Sequence, residues 1–256
     1  MARDSYRAVG VMLRRVDFGE KDQIVTLLLR DIGRRDAVAY GAKVSRKRFA
    51  GALDLFRLVE FTYTEGRADS LPALAEAAVV EDFRGIEASF DKITFASYAT
   101  EFTREIVQSG EEADEVLDIL LGYYRHTAAS EDRPERLEAD LYSMLLHLLA
   151  RAGFGPSLDA CFVSGQQVQR GKRYHFSRHG EGVVASEHRQ PGQATVDVSM
   201  EAIEMLRALS LSYLAPTSPP PPARLLRQLR PLMQLLASAV LPHELKSART
   251  LDLVLA

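Results

Sequence analysis

Four cations lie within six residues of the segment 33–56, which reads GRRDAVAYGAKVSRKRFAGALDLF. They are Lys43, Arg46, Lys47 and Arg48. Because like charges this close repel one another, a fold tolerates them cheaply only where water or an anionic partner lies opposite. Small residues such as Gly41 flank the cluster and leave its charges unshielded. The residues alone leave two interpretations open: a solvated hairpin loop, or a loop that binds the phosphates of a nucleic acid.

More cations and two aromatic rings could extend a nucleic-acid surface around this cluster. The candidate phosphate ligands in the neighbouring segments are Arg14, Arg15, Arg34 and Arg35. A solvated sheet face explains isolated arginines equally well. Tyr40 and Phe49 border the cluster and could stack bases, although rings in such positions more often belong to the core.

The net charge of −3 conceals a strong asymmetry along the chain. Residues 1–60 carry 13 Lys and Arg against 8 Asp and Glu, residues 61–150 carry 7 against 19, and residues 151–256 carry 12 against 8. Basic ends therefore surround an acidic middle, and anion binding is expected at the ends. The overall pI of about 6.1 does not exclude a nucleic-acid partner.

Short apolar runs with turns between them dominate the first 80 residues. Strands are expected at 9–13, 23–29, 35–40, 55–64 and near 68–71. Five short strands in so few residues predict a small barrel or sandwich. A five-stranded OB-type barrel is the preferred interpretation, because such barrels bind nucleic acid on one face and its bordering loops.

After residue 86 the apolar residues recur at helical spacing. Helices are expected at 93–110, 112–126, 134–153, 199–214 and 225–241. The predicted domains are a barrel at 1–80, a helical domain at 81–155 and 196–256, and a small insertion at 156–195. The many carboxylates of the acidic middle are interpreted as solvated helix faces, and no catalytic pair stands out among them.

The small insertion has the outline of a zinc knuckle that lacks most of its ligands. A C-x₂-C-G knuckle would continue from Cys161 to a second cysteine, but the chain reads CFVSG, with Ser164 in that position. The later stretch ASEH has the spacing of the other pair, with Ala185 and His188 in the ligand positions. Structural zinc requires four N or S ligands in a closed tetrahedron. We therefore predict no bound metal and no cofactor.

The order of these elements and four stretches of sequence resemble the RecO family of bacterial recombination mediators. The stretches are AVGVMLRRVDFGEKDQIVTLLLRDIGR, GAKVSRKRFAGALDLF, LLARAGFGPSLDACFVSG and HELKSART. The resemblance covers nearly the whole length and implies an α+β fold. In that fold an N-terminal five-stranded OB-type barrel precedes an α-helical domain with a zinc-knuckle-like insertion. The chain departs from the family pattern at three of the four knuckle cysteines, so its insertion is expected to be degenerate and metal-free.

The resemblance also implies a function and partners. Members of the family bind single- and double-stranded DNA, anneal complementary strands, and work with RecR and single-strand-binding protein to load RecA on single-stranded DNA. The chain is therefore expected to be a mediator in DNA repair that contacts RecR directly and RecA indirectly. The C-terminal tail of single-strand-binding protein is acidic with an apolar end, and for it we select Arg133 and Arg136 beside the third helix.

Two other classes of function are weighed against this one. A nuclease or other hydrolase lacks support, because the chain contains no P-loop, H-E-x-x-H or G-x-S-x-G motif, so no enzyme activity is expected. A protein-only adaptor, in which the barrel and the acidic helices bind repair partners, stays open. The single cysteine excludes an internal disulfide framework, and no 18-residue apolar run is present. The expected location is the bacterial cytoplasm, in association with the nucleoid and with no membrane.

Overall fold

The computed structural model describes residues 5–45, 47–66, 70–107, 112–211, 213 and 220–256. Contacts within the chain define two compact units, Met1–Ala129 and Ser130–Ala256. In the part of the chain described, the first unit contains five strands and two helices, and the second contains four helices and a small sheet. None of the described helices is long and apolar enough to cross a membrane.

Five strands form a closed barrel in the first unit. They are β1 (Ser5–Phe18), β2 (Asp22–Leu29), β3 (Gly33–Ala39), β4 (Arg57–Thr64) and β5 (Ala73–Asp82). Their order around the barrel is β1-β2-β3-β5-β4. Neighbours are antiparallel except β3 and β5, which pair in parallel at Val38 and Ala73. This architecture is that of a five-stranded OB-type barrel, and it confirms the predicted fold.

Strand β4 alternates between buried and half-buried residues, whereas the last five residues of β2 are all buried. Val25, Leu27 and Phe61 point into the barrel core, and the residues between them face outward. A barrel of this size is filled by its own side chains. At Gly10 a Cβ atom would lie 2.0 Å from the carbonyl oxygen of Leu28, so the approach of β1 to β2 requires glycine there.

The fifth strand lies further along the chain than predicted. Of the expected residues near 68–71, residues 68 and 69 lie outside the described part, and Leu71 belongs to no strand. The sequence of β5, ALAEAAVVED, is rich in alanine and glutamate, which favour helices. Eight residue pairs with β4 hold it extended instead. Tertiary pairing therefore overrides local preference in this strand.

The segment between β3 and β4 packs into the barrel. Phe49, Ala52 and Leu53 join the barrel core, and the backbone N–H of Ala77 donates to the carbonyl of Arg48 at 2.8 Å. Phe49 is only 3% exposed. Of the two interpretations left open for this ring, base stacking or a place in the core, the structure supports the core, because the side chain fills the barrel interior.

Two helices pack on the barrel within the first unit. Helix α1 (Phe90–Ile106) contacts β1, and α2 (Glu112–Ala129) contacts β2 and β3. The buried hydroxyls of Tyr124 and Thr100 share a hydrogen bond of 2.6 Å, and burial raises the pKa of Tyr124. These helices thus belong to the same compact unit as the barrel, whereas the sequence grouped them with the later helices. The predicted end of the first helix near residue 110 lies outside the described residues.

Four helices and a three-stranded sheet form the second unit. The helices are α3 (Pro134–Arg151), α4 (Met200–Leu211), α5 (Ala223–Val240) and α6 (Ala248–Leu255). The strands are β6 (Tyr174–Ser177), β7 (Val183–Ala185) and β8 (Thr195–Val198), in the order β7-β6-β8. The buried carboxylate of Glu138 on α3 accepts from Arg230 on α5 at 2.8 Å. That hydrogen bond raises the pKa of Arg230.

Candidate nucleic-acid interface

Outward-facing side chains of the first three strands form one continuous surface, which we call the β1–β3 face. Its exposed or half-buried members are Arg14, Val16, Phe18, Asp22, Ile24 and Tyr40, and Thr26 and Val38 lie buried between them. The strand pairs Arg14–Thr26 and Val16–Ile24 align these residues in rows across β1 and β2. The hydroxyl of Thr26 donates to the carboxylate of Asp36 at 2.6 Å across β2 and β3. Alternation with the core residues therefore fixes which side chains this face presents.

The basic loop, residues 41–48, lies against the turn between β1 and β2. The backbone N–H of Lys43 donates to the carbonyl of Lys21 at 3.1 Å, and the N–H of Gly41 donates to the Asp22 carboxylate at 2.7 Å. The ammonium of Lys43 contacts the Asp17 carboxylate at 2.9 Å. This hydrogen bond, with a second from Gln23, lowers the pKa of Asp17. The predicted cluster is thus attached to one edge of the β1–β3 face.

Of the seven predicted phosphate ligands that the structure describes, at least three are paired with carboxylates. The pairs are Arg15 with Asp54 at 2.8 Å, Arg35 with Glu65 at 2.7 Å, and Lys43 with Asp17 at 2.9 Å. Surface ion pairs of this kind remain exchangeable, because their net free energy is small. Their positive charge is nevertheless partly neutralised before any DNA arrives.

The other predicted cations differ in how they are held. The guanidinium of Arg34 donates to the carbonyl of Arg104 at the end of α1, and that of Arg48 donates to the carbonyl of Tyr40 at 2.6 Å. Arg14 and Lys47 are exposed, and neither makes an ion pair with another residue of the described chain. Arg46 lies outside the described residues.

The structure therefore separates the predicted phosphate ligands into two groups by their position on the barrel. Arg34 and Arg35 begin β3, at the end of the strand away from the basic loop. Arg14, Lys43, Lys47 and Arg48 lie on or beside the β1–β3 face. Lys21, in the β1–β2 turn, is a further exposed cation that the sequence analysis did not select.

A cleft of about 220 Å³ beside the basic loop is lined by Arg15, Lys43 and Asp54, among other residues. Both cations are already opposed by carboxylates there, Arg15 by Asp54 and Lys43 by Asp17. Because these carboxylates would repel a phosphate, the cleft does not form a second anion pocket. The free positive charge lies on the surface around it.

Two aromatic rings are exposed on the β1–β3 face. Tyr40 is 53% exposed, in agreement with the prediction that its ring is available, and Phe18 is 52% exposed. Unbroken alternation along β1 would place Phe18 on the same side as Met12, which belongs to the barrel core. A β-bulge between Met12 and Arg14 shifts the register and turns Val16 and Phe18 to the outer face. Sequence reasoning missed Phe18 because this bulge cannot be seen in the period-two pattern.

The opposite side of the barrel has a different character. This β4–β5 face carries Glu60, Glu76, Ala78 and Glu81. Val79 and Val80 are exposed at the register shift next to Glu81. Strand β5 contributes three carboxylates and no cation, but cations of other elements pair with this face. The pairs are Arg7 with Glu60 at 3.6 Å, Arg84 with Asp82 at 2.8 Å and Arg125 with Glu81 at 2.6 Å. A polyanion would therefore find none of these cations unpaired.

The two arginines selected for partner binding lie in an acidic setting. Arg133 is the N-cap residue of α3, and its guanidinium pairs with Glu131 at 2.9 Å. Arg136 follows on the first turn of the helix, which also carries Glu135. Nothing in the structure tests whether a peptide tail binds there, so this selection stays a prediction.

The insertion keeps the form of a knuckle around a single buried cysteine. The backbone N–H of Ala185 donates to the Sγ atom of Cys161 at 3.3 Å. Burial opposes ionisation of the thiol, but hydrogen bonds from Ser164, Ala185 and Val163 outweigh it and lower the pKa of Cys161. Ser164, in the position of a missing ligand, thus bonds to the sulfur itself. Among the described residues no group of three or more His, Cys, Asp or Glu could hold a metal ion.

Packing supports the same insertion. Tyr174, Phe176, Val183 and Val184 are buried, whereas Phe162 and Val163 are exposed. They lie in the turn that follows Cys161, where the backbone N–H of Phe162 donates to the carbonyl of Val183 at 2.7 Å.

Three polar residues of the insertion have the geometry of a hydrolase triad. The Nδ1 atom of His175 lies 2.8 Å from the Asp197 carboxylate, and its Nε2 atom lies 3.0 Å from the hydroxyl of Ser186. However, the Asp197 side chain is 96% exposed, so water screens its effect on the imidazole. The Ser186 hydroxyl also bonds to the carbonyl of Arg173 at 3.1 Å. We interpret the three residues as a link between β6, β8 and the turn after β7.

Taken together, the first unit is an OB-type barrel with exposed cations and rings on one face, a type of barrel that in other proteins binds single-stranded nucleic acid. The chain belongs to the RecO family. Residues 1–83 match the family described as "Recombination protein O N terminal", and residues 87–248 match "Recombination protein O C terminal". The first match ends one residue after β5, so it coincides with the barrel.

Individual relatives carry the same family name. The chain is 38% identical to the DNA repair protein RecO of Anaeromyxobacter dehalogenans (strain 2CP-C) over 168 residues, which span 66% of this chain and 65% of the relative. It is 34% identical to that of Anaeromyxobacter sp. (strain Fw109-5) over 96% of this chain and 95% of the relative. The protein of Myxococcus xanthus (strain DK1622) is 31% identical over 84% of this chain and 86% of its own length.

Proposed function

We propose that this chain is a DNA-binding and strand-annealing recombination mediator in DNA repair. The observation that carries the proposal is the β1–β3 face, where Arg14, Lys21 and Lys47 are exposed beside the rings of Phe18 and Tyr40. Membership of a family whose relatives are named DNA repair proteins supports it.

The proposed annealing mechanism is electrostatic. Two complementary strands repel one another through their phosphates, and cations on the β1–β3 face reduce that repulsion by replacing condensed counterions. Lysine and arginine contacts to phosphates carry no base information, so annealing proceeds on any sequence. The base edges stay available to the second strand, and base pairing then drives the reaction.

The partners form a finer part of the proposal. We infer that the chain acts with RecR and with the tail of single-strand-binding protein to load RecA on single-stranded DNA, in the bacterial cytoplasm at the nucleoid. Arg133 and Arg136 remain the selected tail contacts. Reversing both charges should weaken the binding of a tail peptide, measured by fluorescence anisotropy. Unchanged affinity would exclude this location.

A protein-only adaptor is the second candidate function. The β4–β5 face favours it, because Val79 and Val80 are exposed beside the carboxylates of β5, and exposed apolar side chains grouped on one face often mark protein interfaces. In this case the barrel would bind a repair partner and have no DNA function of its own.

Salt dependence distinguishes the two candidates. If the β1–β3 face neutralises phosphates, the logarithm of the affinity for single-stranded DNA should fall with the logarithm of salt concentration, by about 0.7 per contacted phosphate. Annealing of complementary oligonucleotides should decline in parallel. Absence of DNA binding at low salt would contradict the mediator and leave the adaptor.

We further propose that the protein is not an enzyme and carries no metal. Labelled DNA incubated with the protein and magnesium should stay intact, and an esterase substrate should not be hydrolysed at Ser186. Elemental analysis should find no stoichiometric zinc, and chelators should leave thermal unfolding unchanged. DNA cleavage, ester hydrolysis or one zinc ion per chain would each overturn the corresponding part of this proposal.

A further inference from the structure

Phe18 and Tyr40 occupy equivalent places on two sides of one strand. Phe18, the last residue of β1, pairs with Asp22 at the start of β2. Gln23 pairs with Ala39, which places Tyr40 on the other side of Asp22. The Asp22 carboxylate accepts from the N–H of Gly41 and thereby holds this end of the sheet together. Two rings that are each more than half exposed thus flank a single short residue.

An apolar row and a set of cations surround the two rings. Val16 and Ile24 form the next accessible row of the face through their strand pair, and Val38, which pairs with Ile24, is buried. Arg14 lies one row further, and Lys21 lies in the adjoining turn. Flat apolar surface bordered by unpaired positive charge complements a polyanion whose subunits have flat apolar faces. Single-stranded nucleic acid has that chemistry.

The distance between the two rings determines which form of DNA can stack its bases on both of them. Neighbouring strands lie about 4.8 Å apart, so rings two strands apart are separated by roughly 10 Å. Successive bases in a duplex rise by about 3.4 Å and cover one another. Bases that lie on both rings must therefore be unstacked from each other. An unpaired strand can adopt that arrangement, whereas an intact duplex cannot.

We propose that Phe18 and Tyr40 form a stacking platform for unpaired bases, which gives the β1–β3 face a preference for single-stranded over double-stranded DNA. The proposal rests on the proposed DNA-binding function and adds a determinant of specificity to it. The cations contribute affinity for both forms of DNA, and the rings add affinity for single-stranded DNA alone.

The test is the double variant Phe18→Ala/Tyr40→Ala, measured against an oligothymidylate and a duplex of equal length at the same salt concentration. Stacking on one aromatic side chain corresponds to about 5- to 150-fold in affinity. The double variant should therefore lose at least about tenfold on the single strand, with duplex affinity within about twofold. The salt dependence should stay unchanged, because no phosphate contact is lost.

Two further variants serve as controls. Tyr40→Phe keeps the ring and should bind like the unchanged protein. Phe154→Ala removes a phenylalanine of the second unit that is 56% exposed, and it should affect neither form of DNA. Circular dichroism checks that each variant is folded.

The outcomes distinguish a failure of the stacking platform from a failure of the proposed DNA-binding function. If the double variant loses equal affinity for single strands and duplexes, or loses no affinity for single strands, the stacking platform is overturned. The proposed function still stands in that case, provided that the unchanged protein binds DNA. If the unchanged protein binds neither form of DNA, the proposed function itself fails.

Discussion

The β1–β3 face and the β4–β5 face belong to one barrel yet differ in chemistry. The first presents Arg14, Lys21 and Lys47 beside two exposed rings, and the second presents the carboxylates of β5 beside Val79 and Val80. Both are built from antiparallel strands that close into the same hydrogen-bonded barrel. The fold therefore offers two surfaces, and side chains alone decide which of them can accept a polyanion.

This difference in charge between the two faces matters for DNA binding, because the protein as a whole has a net charge of −3. At physiological ionic strength the Debye length is about 8 Å, so a phosphate on one face is largely screened from carboxylates on the other. Local charge, rather than net charge, then governs DNA binding.

The largest expected effect comes from replacing Lys43, Arg46, Lys47 and Arg48 together by alanine. DNA affinity should fall by about tenfold or more at moderate salt, and the salt slope should become shallower by about 1–3 units. The loss should be uniform across DNA sequences, because phosphate contacts position the strand without reading bases. Electrophoretic mobility shifts over a salt series provide the measurement.

Stability and a matched variant control that experiment. Arg48 donates to the Tyr40 carbonyl and Lys43 to the Gly19 carbonyl, so the quadruple variant should lose no more than about 1–2 kcal/mol of unfolding free energy. Glu60→Gln/Glu76→Gln on the β4–β5 face should bind DNA nearly as before. A folded quadruple variant that binds and anneals normally would show that the basic loop is only solvated.

A smaller effect should separate a free arginine from a paired one. Arg14→Ala removes an exposed charge without a carboxylate partner and should reduce the salt slope by about 0.7 on single strands. Arg35→Ala removes a charge that Glu65 already neutralises at 2.7 Å and should reduce it by less than about half as much. Equal losses at the two positions would mean that ion pairing does not decide which cations contact DNA.

Adding a cation to the other face should have a weaker effect still. Glu76→Lys changes the charge of the β4–β5 face in favour of DNA, but that face lacks exposed rings and keeps its remaining carboxylates. We expect affinity to rise by no more than about twofold at low salt, and not at all at physiological salt. A tenfold gain would show that the barrel binds DNA wherever positive charge is placed.

The last expected effect, comparable in size to that of Glu76→Lys, concerns the pair formed by Asp17 and Lys43. Because its folded-state pKa is lowered, the Asp17 carboxylate stabilises the fold fully above its unfolded pKa, and that contribution is lost as the pH falls through the lowered value. Protonation also frees the Lys43 ammonium for phosphate. Asp17→Asn should therefore tighten DNA binding at neutral pH by about two- to threefold. It should also remove the pair's part of the acid dependence, measured by binding titrations between neutral and acid pH.

The sequence predicted the barrel well, because its first four strands stand out as short apolar runs with turns between them. It failed for β5, where alanine and glutamate carry a helical preference and only the eight pairs with β4 impose the extended form. The sequence did not show that α1 and α2 share a compact unit with the barrel. Periodicity identifies the buried stripe of a helix but does not say which neighbour covers it.

The candidate site was only partly predictable for a similar reason. Charge runs such as the one at Lys43 are visible in a sequence, whereas ion pairing is not: Asp54 lies 39 positions from Arg15 in the chain and still neutralises it. Tyr40 and Phe49 looked alike as rings beside a basic cluster. Only the packing of the barrel shows that one is exposed and the other is buried.

The segment between β3 and β4 serves as both core and surface, and this shapes the thermodynamics expected of binding. Phe49, Ala52 and Leu53 are fixed inside the barrel, and the N–H of Ala77 holds the carbonyl of Arg48. Because this backbone is already ordered in the folded protein, the segment that carries the cations loses little backbone conformational entropy when DNA binds. Calorimetry of DNA binding should therefore show none of the large heat-capacity change that accompanies coupled folding.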